Sequence, residues 1–236
     1  VLGLTVVTMD GEILRLNGAL EKNNTGIDLR QLFIGGEGTL GVITEALLKL
    51  APLPNEARTR VCFFAVRDIA AVLALFAEAR SEAGSRAFLL SAFECLSAAC
   101  LREVAKFGLR PPFAAGTPGA EAGAYVLMEA EAELPELFDA WLEGVLGSRM
   151  VLDATAGQSA RENAELWALR ERVAEAVLHR REVHQQDLSV PIASLEKFFS
   201  DIETRYRTAY PDFEVFLFGH IGDGNLHIFI RRPEAM

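Results

Sequence analysis

The stretch Gly219 to His227, "GHIGDGNLH", carries two histidines seven residues apart. On a single extended strand that spacing points the rings to opposite faces, because side chains alternate with period two. A fold in the middle reverses this. With Asp223-Gly224 as a two-residue hairpin turn, Gly222 faces Asn225, Ile221 faces Leu226, and His220 faces His227, Cβ atoms about 4.5–5.5 Å apart. Two imidazoles on one face suit two ligands of one divalent cation, and a hairpin with two structural histidines is the alternative. Zinc takes about four ligands, so the pair alone does not complete a site.

A second candidate lies in "SARENAELWALRERVAEAVLHRR". The helical positions Asn163, Leu166, Trp167, Arg170, Val173, Ala174 and Val177 share one face. A guanidinium in the middle of an apolar stripe needs an anion or a wet cavity, and its planar fork suits a carboxylate held by two hydrogen bonds. An internal salt bridge to Asp187 is the other reading. In the strand that follows, Gln185, Asp187 and Ser189 alternate with Gln186, Leu188 and Val190. A polar cavity between that strand, the helix and the histidine hairpin is expected.

Gly36, Gly38 and Gly41 in "GEGTLG" satisfy the dinucleotide-binding spacing G-x-G-x-x-G. That mechanism needs a strand before the glycines, a helix opening at the last one, and an acidic residue about 20 positions later. Here the order is helix, glycines, strand, and Val61 and Cys62 stand where the acid belongs. A nicotinamide site is therefore disfavoured against a helix end followed by a tight entry into a strand.

The elements that must position these residues follow from periodicity. "VLGLTVVTMDGEILRL" reads as two strands around the Asp10-Gly11 turn, and because position 1 is Val the chain is expected to begin mid-domain. A short helix ends at Gly35 and Gly36, and "TLGVITEALLKLAPLP" runs as a strand to a border at Pro52 and Pro54. Beyond it, strands and helices alternate. Strands are expected at "TRVCFFAV", "SRAFLLSAF", "AYVLMEAEA", "RMVLDAT", "HQQDLSV", "FEVFLFGH" and "LHIFIRR", and helices over about 68–83, 96–107, 134–146, 159–180 and 192–210. Gly108 to Gly123 reads as a mobile Pro/Gly/Ala loop. The fold class is α+β, helices covering one face of a largely antiparallel sheet.

Half of the 236 residues are hydrophobic, enough for a sizeable core. The formal net charge is −10, and the basic residues form no block longer than a pair such as Arg180-Arg181. A phosphate track for nucleic acid is thereby excluded. No apolar run reaches the ~18 residues of a membrane helix, so a cytoplasmic protein is expected. Cys62, Cys95 and Cys100 lack C-x-x-C spacing and read as buried thiols.

In order, "DLRQLFIGGEGTLGVITEALLKLAPLP", "ELWALRERV", "DLSVP" and "GHIGDGNLH" resemble the FAD-linked oxidases of the vanillyl-alcohol oxidase superfamily. The likeness is greatest to the branch of D-2-hydroxyglutarate dehydrogenase, D-lactate dehydrogenase and the glycolate oxidase FAD subunit. It implies that residues 1–54 form the C-terminal part of an FAD-binding domain and 55–236 a substrate, or cap, domain cut short at its C-terminus. It implies FAD contacts at Glu37, Gly38, Thr39, Gly41, Val42 and Ile43, largely through backbone. It also implies His220 and His227 as ligands of a divalent metal, Zn or Mn, and Arg170 as the contact to a substrate carboxylate. The implied reaction takes a D-2-hydroxy acid to the 2-oxo acid with hydride transfer to FAD, the metal polarising the substrate hydroxyl.

Three positions depart from the hydroxyglutarate enzymes. Ala174 stands for a threonine, Gln185, a pocket candidate, for a lysine, and Phe229 for an asparagine. A distal carboxylate would lose a cation and hydrogen-bond partners, so a smaller or more apolar hydroxy acid is expected. The family's flavin pyrophosphate loop is expected upstream of Val1, and an acidic metal ligand with an adjacent histidine downstream of Met236. On that expectation the chain alone neither retains FAD tightly nor turns over. An electron acceptor and a homodimeric partner are further expectations. The rival from another class is a non-catalytic metal-binding or interaction module that keeps the cap fold.

Overall fold

The computed structural model describes residues 1–84, 88–179 and 182–233. The protein falls into two compact units, Val1–Leu53 and Pro54–Met236.

In the first unit, β1 (Gly3–Thr8) pairs antiparallel with β2 (Ile13–Leu16) across the Asp10-Gly11 turn. Gly11 there takes φ +87°, open to glycine without steric cost. After a single-turn helix, α1 (Arg30–Phe33), the chain enters β3 (Gly41–Leu47), which pairs with the other edge of β1. Leu4 and Val6 are buried, whereas Leu40, Val42, Ile43, Leu47 and Leu48 are exposed. This small sheet and its flanks therefore carry exposed apolar side chains.

The second unit is built on β4 (Thr59–Val66), α2 (Ile69–Gly84), β5 (Leu89–Ser97), α3 (Ala98–Lys106), β6 (Ala124–Glu131), α4 (Pro135–Leu146), β7 (Val151–Ala156), α5 (Ala160–Glu171), α6 (Val173–Leu178), β8 (Val183–Ser189), α7 (Leu195–Ala209), β9 (Glu214–His220) and β10 (Asn225–Arg231). The strands make one seven-stranded sheet in the order β7-β4-β6-β5-β9-β10-β8. Every ladder in it is antiparallel. The expected strand at "SRAFLLSAF" starts at Ser85 and the helix expected over 159–180 ends at Arg180, and both of those ends lie outside the described residues.

The antiparallel sheet with helices agrees with the α+β expectation, but helices cover both faces rather than one. Cys62, Phe64 and Val66 of β4 pack with Leu75 of α2, Trp141 of α4 and Phe199 of α7. Their neighbours Val61, Phe63 and Ala65 pack with Val104 of α3, Leu169 of α5 and Val177 of α6. The reason is written in β4, where "VCFFAV" is continuously apolar; a strand with one wet face alternates instead. The loop Gly108 to Gly123 also departs from expectation. Phe113 stacks on Tyr125 and packs at a tilt on Phe63, ring centroids 6.1 Å apart in both pairs, and the Tyr125 hydroxyl donates to the Ala120 carbonyl. Its middle is thus packed on the core rather than free.

The helix expected over 159–180 breaks at Arg172, which leaves the helical region at ψ 7° and separates α5 from α6. Ser159 starts α5 by accepting from the Glu162 backbone N–H. All three cysteines are buried free thiols, as expected, and burial pushes Cys62 and Cys95 up to about 12 and Cys100 up to about 11.

Candidate functional site

The histidine hairpin is wider than a two-residue turn. His220 stands opposite Asn225, and His227 opposite Phe218, so the loop is Ile221–Gly224. Ile221 sets this register. Its side chain is buried and its N–H donates to the Phe93 carbonyl of β5, which draws the backbone out of the β9–β10 ladder after His220. The loop closes through Gly224 N–H to the His220 carbonyl and Asn225 N–H to Asp223 Oδ1. Gly224 sits at φ +75°, and a Cβ there would lie 2.2 Å from the Val190 carbonyl oxygen, so only glycine fits.

The two imidazoles still share a face. Phe218, opposite His227, lies two residues from His220, and the rings meet edge to face with centroids 5.7 Å apart. They are diagonal neighbours rather than directly opposed.

Arg170 arrives from α5 above the same face. Its Cζ lies 5.0 Å over the Phe218 ring, whose centroid is 5.0 Å from that of His227. Only 7% of Arg170 is exposed. Its ion-pair partner is Glu94 of β5, not Asp187: Nε donates to Glu94 Oε2 at 2.9 Å. Among the described residues neither terminal guanidinium nitrogen has a hydrogen-bond acceptor. The internal salt bridge thus forms and still leaves the outer edge of the fork unused.

Glu94 is the residue that the sequence reading missed. It is 5% exposed, pairs in register with His220, and its Oε1 lies 2.6 Å from His220 Nδ1. The signal was available, since a carboxylate in the apolar strand "LLSAFECLS" poses the same question as a guanidinium in an apolar helix face.

Asp187 instead stands opposite His227 across β8 and β10. Its Oδ2 is 3.5 Å from His227 Nδ1, and its Oδ1 accepts from the Asn225 side-chain amide at 2.7 Å. Each histidine therefore has a carboxylate at Nδ1, the arrangement that leaves Nε2 free to act as a ligand. Burial, aided by the Arg170 charge and opposed by Asp187, holds the His227 imidazole below its ordinary 6.5 and so neutral at neutral pH. The donor set fits two ligands of a divalent ion but not a whole site: among the described residues no group of three or more His, Cys, Asp and Glu is placed to hold one.

Gln185 and Ser189 are exposed on β8, on the face of Asp187, as the alternation requires. Gln185 pairs in register with Phe229, which is buried edge to face on Phe218. Ala174 is half-buried against the same core cluster. Trp167, also on α5, donates from Nε1 to Glu129 Oε2 at 2.8 Å.

In the first unit, Glu37 and Gly38 both take positive φ in the turn between α1 and β3, and Thr39 N–H donates to the Gly36 carbonyl. No helix opens at Gly41, which enters β3 directly, so the nicotinamide spacing lacks the helix that it requires. A Cβ at Gly41 would lie 2.7 Å from the Val7 carbonyl, so this glycine serves strand packing. Val42 and Ile43 are 59% and 44% exposed. Open backbone beside uncovered apolar side chains fits a flat, partly apolar group such as a flavin.

Residues 55–235 match the family described as FAD linked oxidases, C-terminal domain. D-2-hydroxyglutarate dehydrogenase of Xanthomonas citri pv. viticola is 38% identical over 100% of this chain and 48% of its own length. The mitochondrial D-2-hydroxyglutarate dehydrogenase of Bos taurus is 40% identical over 97% of this chain and 40% of its own. The chain thus spans half or less of the length of these curated relatives. Among solved structures, 4-ethylphenol oxidase of Gulosibacter chungangensis aligns with TM-score 0.58 at 14% identity, covering 97% of this chain and 50% of its own. An alkyldihydroxyacetonephosphate synthase aligns with TM-score 0.60 at 16% identity over 99% and 45%. These two likenesses speak to the fold.

Proposed function

The chain belongs to the FAD linked oxidases through their C-terminal domain, and from that premise we propose that it is part of a flavin-dependent dehydrogenase oxidising a D-2-hydroxy acid to the 2-oxo acid. The observation that carries this reading is the meeting of Arg170, His220 and His227 around Phe218. A buried guanidinium with its outer edge unused suits a carboxylate, and two imidazoles beside it suit the ion that would bind the neighbouring hydroxyl.

In this proposal residues 1–54 are the C-terminal part of the FAD-binding domain and 55–236 the substrate domain. Glu37, Gly38, Thr39, Gly41, Val42 and Ile43 border the flavin, which when bound supplies the hydride acceptor. His220 and His227 hold a divalent cation, Zn or Mn, which when bound lowers the cost of charge on the substrate hydroxyl oxygen. Arg170 fixes the substrate's carboxylate by its terminal nitrogens, so the hydroxyl-bearing carbon is oriented by the protein rather than by chance. Phe218 and Phe229 exclude water from the floor of the site and strengthen the charged contacts above it. Reduced flavin passes its electrons to a separate acceptor. A cytoplasmic location and a homodimer belong to the proposal as well, beside relatives some of which are named mitochondrial.

The substrate is a smaller or more apolar acid than hydroxyglutarate. Phe229 puts an aromatic edge where a distal carboxylate would need a donor, and Gln185 beside it carries no charge. Anaerobic mixing of the full gene product with D-lactate, glycolate, larger aliphatic 2-hydroxy acids of the same hand and D-2-hydroxyglutarate, followed by flavin bleaching, tests both parts. The expected order places the dicarboxylate last. Absence of bleaching with every acid would sink the reaction class.

A further inference from the structure

The site has one buried carboxylate with two clients. Glu94 Oε2 accepts from Arg170 Nε at 2.9 Å, and Oε1 lies 2.6 Å from His220 Nδ1. Both oxygens are therefore engaged, and Glu94 and Arg170 have side chains only 6% and 9% exposed, whereas that of His220 is 45% exposed. An ionised carboxylate only accepts hydrogen bonds, so the hydrogen of this contact must sit on His220 Nδ1. The lone pair is then on Nε2, at the end of the ring away from Glu94. On the other side, tying Arg170 through Nε leaves the terminal edge of its fork unused and fixes the plane in which it lies.

We infer that Glu94 is a positioning residue that sets His220 in its Nδ1–H tautomer and Arg170 in its carboxylate-receiving orientation at the same time. The inference rests on the proposed roles of His220 and Arg170 for its functional meaning, and on hydrogen-bond chemistry alone for its tautomer. A purely structural ion pair would need only Arg170, and a purely structural histidine contact would need only one oxygen. Instead a single side chain in the centre of β5 serves the metal-binding and the anion-binding group together, so the two cannot be misaligned independently. No other carboxylate among the described residues contacts both.

Glu94→Gln separates these functions with little change of shape. Its amide has one acceptor and one donor face. Arg170 Nε–H takes the oxygen, because a cation gains more from it than a neutral ring, and the NH2 then meets His220 Nδ1. That ring must move its proton to Nε2, where the free lone pair was. The measurement is the tautomer of His220 at fixed pH in the 15N-histidine-labelled full gene product, assigned with His220→Gln, together with Co2+ titration. Wild type is expected in the Nδ1–H form, and Glu94→Gln in the Nε2–H form with Co2+ binding weakened about 10- to 100-fold. KM for D-lactate rises in the same variant while the thermal midpoint reports folding separately. A folded Glu94→Gln protein whose His220 keeps its proton on Nδ1 overturns the inference. So does a wild-type His220 protonated on Nε2, which decides the matter even if the variant fails to fold. Wild type that binds no Co2+ yet switches tautomer on substitution removes the metal role and leaves the positioning role standing.

Discussion

Glu94 on β5 and Arg170 on α5 are joined by a 2.9 Å hydrogen bond inside the sheet–helix layer, and neither side chain has more than a tenth of its surface in water. A pair this buried is costly to assemble and more costly to break singly, because one deletion leaves an uncompensated charge. Arg170→Met is therefore expected to destabilise the fold by about 3–5 kcal/mol. The double variant Glu94→Gln/Arg170→Met should lose clearly less than the two single losses added together. Urea denaturation of all four proteins measures the cycle, and additive losses would show that the two groups do not act as a pair.

His220 and His227 meet edge to face on one sheet face, each with a carboxylate at Nδ1. Removing a ligating nitrogen should weaken a divalent ion more than disturbing the residue behind it, for which about 10- to 100-fold is typical. His220→Ala and His227→Ala should each exceed that loss in Zn2+ or Mn2+ titration of the full gene product. Asp187→Asn should fall near the lower end, since its contact to His227 is 3.5 Å and it is exposed. Equal metal content in all four proteins would return the hairpin to a structural role.

How much of this is legible in the sequence depends on whether a residue's environment is local. The face of α5 and α6 is legible because helix periodicity is a property of neighbours, and Leu166, Arg170, Val173 and Val177 are buried as it requires. That the histidines share a face is legible too, but by a register that sequence spacing misstates. The two-residue turn fails because Ile221 bonds to Phe93, a partner 128 positions away that no local rule contains. The partner of Arg170 differs from the expected Asp187 for the same reason. Glu94 is far in sequence and near in space, whereas Asp187 is close in sequence and spent on His227 and Asn225. Two-sided helix cover is a different case, since the unbroken apolar run of β4 already carries it and only the count of helices per face needs the third dimension.

Phe229 and Gln185 stand opposite one another, one buried and one exposed. The asymmetry separates specificity from stability. Gln185→Lys adds a cation on a solvent-facing strand, so stability should change by less than about 0.5 kcal/mol. The ratio of kcat/KM for D-2-hydroxyglutarate over D-lactate should rise, by about tenfold for a contact worth roughly 1.4 kcal/mol. Phe229→Asn removes an aromatic ring packed on Phe218 and buries an amide, and about 3 kcal/mol of stability should go with it. An unchanged substrate ratio in Gln185→Lys would contradict the placing of the distal end of the substrate at this strand pair.

Cys62, Cys95 and Cys100 supply a pH prediction whose sign is fixed by burial. The folded protein holds them up to about 12, 12 and 11, whereas an exposed thiol has its ordinary value of 9.0. Ionisation is therefore easier in the unfolded state. The stability contributed by the neutral thiols is fully present below pH 9, and it is lost as pH rises from there toward the folded values. Between pH 9 and 11 each thiol should cost about 1 kcal/mol per pH unit, so the urea midpoint should fall steeply over that window. Replacing one thiol at a time with alanine should flatten the slope by about a third, after allowance for a small packing loss that is independent of pH. Below pH 9 the slope from this source should vanish, and thiol reagents should fail to react until denaturant is added. A midpoint constant from pH 8 to pH 11, or rapid labelling of the native protein, would place these thiols at the surface and undo the two-layer core that buries them.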